Sequence, residues 1–142
     1  MQKSHRKITK KSKEPKTKEK ASFKKLTQLA EKLRSKTGCP WDKKQTIETM
    51  MNYVMEEAEE VSQAIKKNDI KNLEEELGDL LFQIVMISQI AKEQKYFNMD
   101  DVTDGIAKKI ISRHTWVFGK DKAHTPEEAL KMWKENKKRE KL

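Results

Sequence analysis

The sequences IETMMNYVMEEAEEVSQAI at residues 47–65 and LEEELGDLLFQIVMISQIA at residues 73–91 decide the fold. In both stretches apolar residues recur every three or four positions, which predicts two amphipathic helices. The turn between them, Lys66–Asp69, is short, and Asp69 is suited to cap the second helix. So short a connection makes the two helices antiparallel neighbours. The predicted apolar stripes consist of Ile47, Met50, Met51, Val54, Met55, Ala58, Val61 and Ile65, and of Leu73, Leu77, Leu80, Leu81, Ile84, Ile87 and Ala91.

Start and stop signals predict a further helix before this hairpin. Ser22 is suited to cap a helix with apolar residues at helical spacing, and Gly38 is predicted to end it. The sequence CPWD at residues 39–42 is predicted to be a loop. Asp42, with Gln45 three residues later, is the predicted cap of the first hairpin helix.

Two more helices are predicted after the hairpin. Asn98 with Asp101 three residues later is a start signal, and Thr125 followed by Pro126 and two glutamates is another. Five helices and no strand pattern predict an all-α helical bundle with the antiparallel hairpin at its centre. We assign residues 23–142 to this one domain.

Composition restricts the class of protein. The chain has 142 residues, of which 35% are hydrophobic and 39% charged, enough for one helical core. The longest apolar run, residues 80–87, is short and contains Gln83, so no membrane span is expected. No apolar stretch follows the N-terminus, so no secretory signal is expected. A single cysteine fits a reducing compartment, and we expect the cytoplasm.

The basic charge is concentrated at the N-terminus. Residues 1–22 carry nine Lys or Arg against two Glu, a net charge of +7, whereas the other 120 residues have a net charge of +2. This segment has too few apolar residues to form a core, so we predict a disordered basic tail over residues 1–22. Contact of the tail with nucleic acid is one hypothesis, but a solvated tail is the more common case.

Acidic residues crowd onto the hairpin, and helix geometry brings four of them together. At about 100° per residue, Glu57 and Glu60 flank one side of the first apolar stripe, and Glu76 and Asp79 flank the same side of the second. The turn residue Asn68 is midway between 57 and 79, and also midway between 60 and 76. Glu57 is therefore predicted to lie level with Asp79, and Glu60 level with Glu76.

Four uncompensated carboxylates raise one another's pKa, and a hard divalent cation relieves the repulsion. Oxygen ligands favour Mg²⁺, Mn²⁺ or Ca²⁺ over zinc, and no His or Cys lies on the hairpin. The alternative is a solvated acidic face, which is common on helices. A Mg²⁺ site of this kind predicts metal-assisted phosphoryl or nucleotidyl transfer. Glu56 is the candidate catalytic residue, as a general base reached through water, although geometry favours a surface role.

These residues resemble the MazG family of nucleoside triphosphate pyrophosphohydrolases. The family's Glu-Glu-x-x-Glu and Glu-x-x-Asp patterns are matched by residues 56–60 and 76–79. Its leading Cys-Pro-Trp-Asp segment is matched at 39–42, its Arg-His and Val-Phe-Gly stretch at 113–119, and its closing Trp-x-x-x-Lys at 133–137. The resemblance covers about residues 23–141 in order, which makes it specific.

The resemblance implies hydrolysis of NTPs or dNTPs to a nucleoside monophosphate and pyrophosphate, as in clean-up of the nucleotide pool. It implies Mg²⁺ as the cofactor, with Mn²⁺ as a possible substitute, and a homodimer. It makes Glu57, Glu60, Glu76 and Asp79 the metal ligands. It makes Lys109, Arg113, Trp133 and Lys137 the substrate-binding residues.

The spacing of the four substrate-binding residues agrees with a shared role. Lys109 and Arg113 are four residues apart and share one helix face, as do Trp133 and Lys137. A Trp beside a Lys can stack a base while the ammonium meets phosphate. Core packing of Trp133 and solvent exposure of the two lysines are the alternatives.

We also expect the homodimer from the second hairpin helix, where Phe82, Met86 and Ile90 widen the apolar stripe beyond one face and predict a dimeric four-helix core. Two other functions remain open: a non-enzymatic helical module that binds nucleic acid through the tail, and a scaffold stabilised by Ca²⁺ or another metal.

Overall fold

The computed structural model describes residues 20–141, and these form seven helices with no strand. The helices are α1 (Phe23–Leu33), α2 (Pro40–Lys44), α3 (Ile47–Lys66), α4 (Ile70–Glu93), α5 (Met99–Arg113), α6 (Thr115–Phe118) and α7 (Pro126–Glu140). The all-α prediction is confirmed, and the two helices beyond the predicted five are short. The predicted basic tail lies outside the described residues except at positions 20–22. Among the described residues, no helix is both long and apolar enough to cross a membrane.

The hairpin of α3 and α4 is the centre of the fold, as predicted. Its turn is a Schellman motif, in which Asp69 N–H donates to the Ala64 carbonyl at 3.1 Å and Asn68 N–H to the Ile65 carbonyl at 3.1 Å. Asn68 adopts the left-handed conformation that this motif requires, with φ 52°. Asp69 caps α4 by accepting from Asn72 N–H. The turn therefore fixes the register of the two acidic helices.

The core lies at the open end of the hairpin, where α1 packs on α4. Its buried residues are Ala30, Met50, Val85, Met86 and Ile90. The dimer prediction used Met86 and Ile90 as surplus apolar surface, and that reason is wrong, because both are buried within this chain together with Ala30 of α1.

One side of the hairpin keeps an exposed apolar face along much of its length. Residues predicted as part of the stripes remain open to solvent there, because no helix of the described chain covers them. They are Met51, Met55 and Ile65 on α3, and Leu77, Leu81 and Ile84 on α4. We refer to these six residues as the hairpin face.

The segment between α1 and α3 differs from the prediction. Helix α1 ends at Leu33 rather than at Gly38, and the Ser35 hydroxyl donates to the Lys32 carbonyl at 2.7 Å, which competes with further helix. Gly38 is still required, since a Cβ at this position would overlap the carbonyl oxygens of Lys32 and Leu33.

The predicted CPWD loop is in fact the start of α2, because Pro40 occupies the first helical position, where its missing N–H costs nothing. Asp42 lies inside α2 and does not cap α3. Thr46 does so, in a capping box with Thr49. The predicted caps Ser22, Asn98 and Thr125 are confirmed.

Candidate active site

Four carboxylates of the hairpin converge at one point. Each of Glu57, Glu60, Glu76 and Asp79 places an oxygen within 4.8 Å of the corresponding oxygens of the other three. Glu57 and Glu76 are half-buried, and Glu60 and Asp79 are exposed. The convergence expected from helix geometry is therefore present in the structure.

Two oxygens of this cluster are shielded from water and have no hydrogen-bond partner: Oε2 of Glu57 and Oε2 of Glu76. An acceptor left in this state is costly, because it has lost water and gained no donor. A cation among the carboxylates would satisfy both oxygens at once. The donor set consists of oxygens alone, which fits Mg²⁺, Mn²⁺ or Ca²⁺. The residues present therefore fit a hard divalent metal ion.

The electrostatics of the cluster also favour a positive ion. Glu60 can share a proton with Glu76, and this, together with burial and the charges of Glu60, Asp79 and Glu57, raises the pKa of the Glu76 carboxyl to about 7. Burial, followed by the proximity of Glu60 and Asp79, raises the pKa of Glu57. The carboxyl groups of Glu57 and Glu76 thus resist ionisation unless a cation compensates their charge.

This arrangement predicts how the stability of the metal-free protein depends on pH. A carboxyl group whose pKa is higher in the folded state binds more protons when folded, so its stabilising contribution is present at low pH and is lost as pH rises. The pKa of Glu76 rises from 4.5 in the unfolded chain to about 7 in the folded protein. We therefore expect the melting temperature to fall as pH is raised from about 5 to about 8.

Mg²⁺ or Mn²⁺ should restore the melting temperature at the upper pH, since an ion that binds the folded cluster stabilises it by mass action. The Glu76→Gln variant, which cannot titrate at this position, should show a flatter pH dependence. A melting temperature that is indifferent to both pH and metal in differential scanning calorimetry would contradict this account of the cluster.

The candidate base, Glu56, is exposed and is not one of the four converging residues. It precedes Glu57 on α3, so its side chain leaves the helix about 100° away from that of Glu57. A role in the chemistry would therefore require a water molecule between Glu56 and the substrate.

Three of the four predicted substrate-binding residues meet at the packing of α5 against α7. The Arg113 guanidinium carbon lies 5.4 Å from the centre of the Trp133 ring, and Lys137 Nζ lies 5.2 Å from it. Both contacts are cation–π interactions. Trp133 is half-buried, so it packs between α5 and α7 while part of its ring stays exposed. Lys109 is exposed on α5.

Sequence reasoning missed two residues that hold this basic group together. Glu140 accepts from Arg113 Nε at 3.0 Å and from the Ser112 hydroxyl at 2.5 Å. The hydrogen bond from Ser112, followed by that from Arg113, lowers the pKa of Glu140. Asn136 is buried and donates to the Arg113 carbonyl at 3.1 Å, which satisfies a carbonyl at the end of α5. No sequence pattern marks either residue, because each depends on which helices pack together.

A third group lies beside the acidic cluster, at the junction of α2 and α3. Trp41 makes an edge-to-face contact with Tyr53, with ring centres 5.4 Å apart and planes at 70°. Tyr53 lies one helical turn before Glu57 on the same face of α3. Sequence analysis used Trp41 only as part of a motif and did not assign it a role.

Comparison with known proteins agrees with this geometry. Residues 45–118 match the family model of the MazG nucleotide pyrophosphohydrolase domain. The fold matches a crystal structure of a MazG-related protein from Thermotoga maritima, with a TM-score of 0.68 and 37% identity, over 81% of this chain and 98% of that one.

Curated relatives are similar over most of the present chain. The MazG nucleoside triphosphate pyrophosphohydrolase/pyrophosphatase of Thermotoga maritima is 41% identical over 119 residues, which are 84% of this chain and 45% of that protein. The nucleoside triphosphate pyrophosphohydrolase of Escherichia coli K12 is 41% identical over 113 residues, 79% of this chain and 43% of that protein. YabN of Bacillus subtilis, described as uncharacterized, is 40% identical over 84% of this chain and 24% of its own length. The chain thus spans less than half the length of these relatives.

The family match covers the whole acidic hairpin and continues through α5 to Phe118, which includes Arg113 of the basic group. Together with the similarity in fold, it shows that the chain belongs to the MazG nucleotide pyrophosphohydrolase domain family.

Proposed function

We propose that this protein hydrolyses nucleoside triphosphates, NTPs or dNTPs, to a nucleoside monophosphate and pyrophosphate with Mg²⁺ as cofactor. The observation that carries the proposal is the cluster of four carboxylates with two shielded oxygens that lack a partner. The relatives named as nucleoside triphosphate pyrophosphohydrolases support the choice of reaction. A role in clearing unwanted nucleotides from the cellular pool fits this reaction.

In this proposal, Glu57, Glu60, Glu76 and Asp79 would hold the metal ion. When bound, Mg²⁺ would supply charge compensation for the phosphoryl oxygens and lower the pKa of a water molecule. Mn²⁺ has the same preference for oxygen ligands and would substitute for Mg²⁺. Ca²⁺ binding without catalysis remains the competing outcome of a metal titration.

The basic group would bind the phosphates that the metal does not reach. Arg113 uses Nε for Glu140, so its two terminal amino groups remain for a phosphate. Lys137 and Lys109 would add point charges, and Trp133 would keep Arg113 and Lys137 in place beside the phosphates. Helix α7 contacts α5 and α6, so this group reaches the hairpin through α5.

Product analysis tests the proposed reaction. The full-length protein is incubated with ATP, dATP, CTP and dCTP in the presence of Mg²⁺, and the products are followed by ³¹P NMR. Monophosphate plus pyrophosphate is the expected result. Diphosphate plus orthophosphate would mean attack at the terminal phosphate, and would overturn the proposal.

Glu56 is proposed as the base that orients or deprotonates the attacking water. The Glu56→Gln variant should then lower kcat by about 100-fold or more, the lower end of general-base contributions, and leave Mg²⁺ binding intact. Glu59→Gln is the matched control, because Glu59 is also exposed on α3 and, among residues 20–141, accepts a side-chain hydrogen bond from Gln63 of its own helix alone. Equal kcat in the two variants would assign Glu56 to the surface.

We also propose a homodimer formed through the hairpin face. Its six residues are all on the two long helices, and a monomer seldom leaves so many large apolar side chains exposed on one surface. A second copy related by a two-fold axis would place α3 and α4 of each chain together as a four-helix core. We assign this face to a second copy of the chain for a reason of symmetry. The antiparallel helices α3 and α4 are related by a local two-fold axis, so the hairpin face can pair with the same face of another copy.

A further inference from the structure

The structure points to a second aromatic site, and we infer that Trp41, supported by Tyr53, forms the platform on which the base of the nucleotide stacks. This inference rests on the proposed function, because it adds a base-recognition element to the same site. Trp41 lies on α2 and Tyr53 on α3, the helix that carries Glu57 and Glu60, whereas the basic group lies on α5 and α7.

The first support is that Trp41 is open to solvent although its surroundings are firmly held. Its side chain is 51% exposed, whereas large aromatic side chains are usually buried in a core. Its partner Tyr53 packs against the buried core cluster and is therefore fixed in place. The edge-to-face geometry leaves ring surface of Trp41 available to a ligand.

The second support is a polar network that fixes the backbone around Trp41. Gln45, which is 9% exposed, donates through Nε2 to the Trp41 carbonyl at 3.0 Å. Arg34 donates to the carbonyls of Asp42 at 2.5 Å and Gln45 at 3.0 Å. Arg34 is in turn held by Glu93 at the end of α4, at 2.6 Å. An exposed tryptophan on a backbone fixed by buried polar groups is already oriented for binding.

The third support is position. Tyr53, Glu57 and Glu60 lie at intervals of four and three residues, so they share one face of α3. Tyr53 lies about 6 Å along the helix axis from Glu57, a separation that a ribose can bridge. A nucleotide whose phosphates lie at the four carboxylates can therefore place its base on the aromatic pair.

The competing platform is Trp133, but its ring is already in contact with two cations, Arg113 and Lys137. These contacts occupy ring surface that a base would need. Trp133 is thus better placed to hold cations against phosphate, and Trp41 to hold the base.

Binding of a base-containing ligand and a base-free ligand tests this inference. The first probe is an α,β-methylene analogue of ATP, which cannot be cleaved between its α and β phosphates, and the second is inorganic tripolyphosphate. Both are titrated into the full-length protein with Mg²⁺ by calorimetry. Trp41→Ala should weaken the analogue by about 5- to 150-fold, the range for loss of one stacked base, and leave tripolyphosphate unchanged. Trp41→Phe should restore most of the affinity.

The variant is expected to remain folded, because Gln45 and Arg34 contact main-chain carbonyls that alanine retains. Circular dichroism melting checks this. Trp133→Ala is the aromatic comparison, and it should weaken both probes alike, because Trp133 contacts the cations assigned to the phosphates. Equal losses for both probes in Trp41→Ala, no loss for either, or a loss of base dependence only in Trp133→Ala would each overturn the inference. If the protein cleaves no nucleoside triphosphate but shows the Trp41-dependent difference in binding, the proposed reaction fails and the base platform stands.

Discussion

The Asp79→Ala variant should lose Mg²⁺-dependent hydrolysis while keeping its helical fold. Asp79 is exposed and lies beside the packed seam of the hairpin, so its removal leaves no cavity in the core. Loss of one of the four proposed metal ligands should lower kcat/KM by at least about 100-fold. Removal of a group that only contacts a ligand costs up to about 100-fold, and loss of a ligand itself should cost at least as much. The measurement is steady-state hydrolysis at saturating Mg²⁺, with circular dichroism to confirm the fold.

Glu75→Gln is the control for this variant. Glu75 is an exposed carboxylate on the same helix and is not in the cluster, so it should leave activity within about twofold, as surface substitutions usually do. The apparent metal affinity should also fall in Asp79→Ala and not in Glu75→Gln. Full activity in Asp79→Ala would remove the metal site from the proposal.

The Leu81→Asp variant should convert the expected dimer to a monomer. Leu81 is 38% exposed in the single chain and lies on the hairpin face. In a dimer with a two-fold axis at this face, Leu81 of both protomers would be buried. Each protomer would then bury an unpaired carboxylate at the interface, which should raise the dimer Kd by at least about 100-fold. Sedimentation velocity at micromolar concentration measures the change.

Leu130→Asp is the matched control for association. Leu130 is an exposed leucine on α7, at 53%, and is not part of the hairpin face. It should leave the sedimentation coefficient unchanged. A wild-type protein that is monomeric at micromolar concentration would contradict the dimer directly.

The sequence predicted the hairpin and its acidic cluster well, because both follow from local rules. Helical spacing places Glu57 and Glu60 on one face of α3, and the length of the turn sets which residues of α4 lie opposite. Caps such as Asn98 and Thr125 were also predicted, because each depends on side chains a few residues away.

The errors arose where distant parts of the chain decide the outcome. Met86 and Ile90 were expected to face a partner, but α1 covers them, and periodicity cannot tell which helix will pack on an apolar stripe. The N-cap of α3 was predicted at Asp42, but Pro40 starts a short helix that contains Asp42, and Thr46 caps α3 instead.

Parts of the site could not be predicted for the same reason. Glu140 reaches Arg113 across 27 positions, and Arg34 reaches Glu93 across 59. Such pairs have no signature in the local sequence. The position of Trp41 against Tyr53 likewise depends on how α2 is held against α3 and α4.

The turn at Asn68 has a consequence for how this domain can change over evolutionary time. Because the hydrogen bonds of Asn68 and Asp69 fix the end of α3 and the start of α4, the number of residues in the turn determines how α4 is rotated relative to α3. One inserted residue would turn α4 by about 100° and slide it by about 1.5 Å, which moves Glu76 and Asp79 out of reach of Glu57 and Glu60. Substitutions in the turn are therefore tolerable where the residue at position 68 can adopt the left-handed conformation. Insertions and deletions in the turn would separate the two acidic pairs and should be selected against. The spacing between the two acidic pairs is the quantity that selection should hold constant.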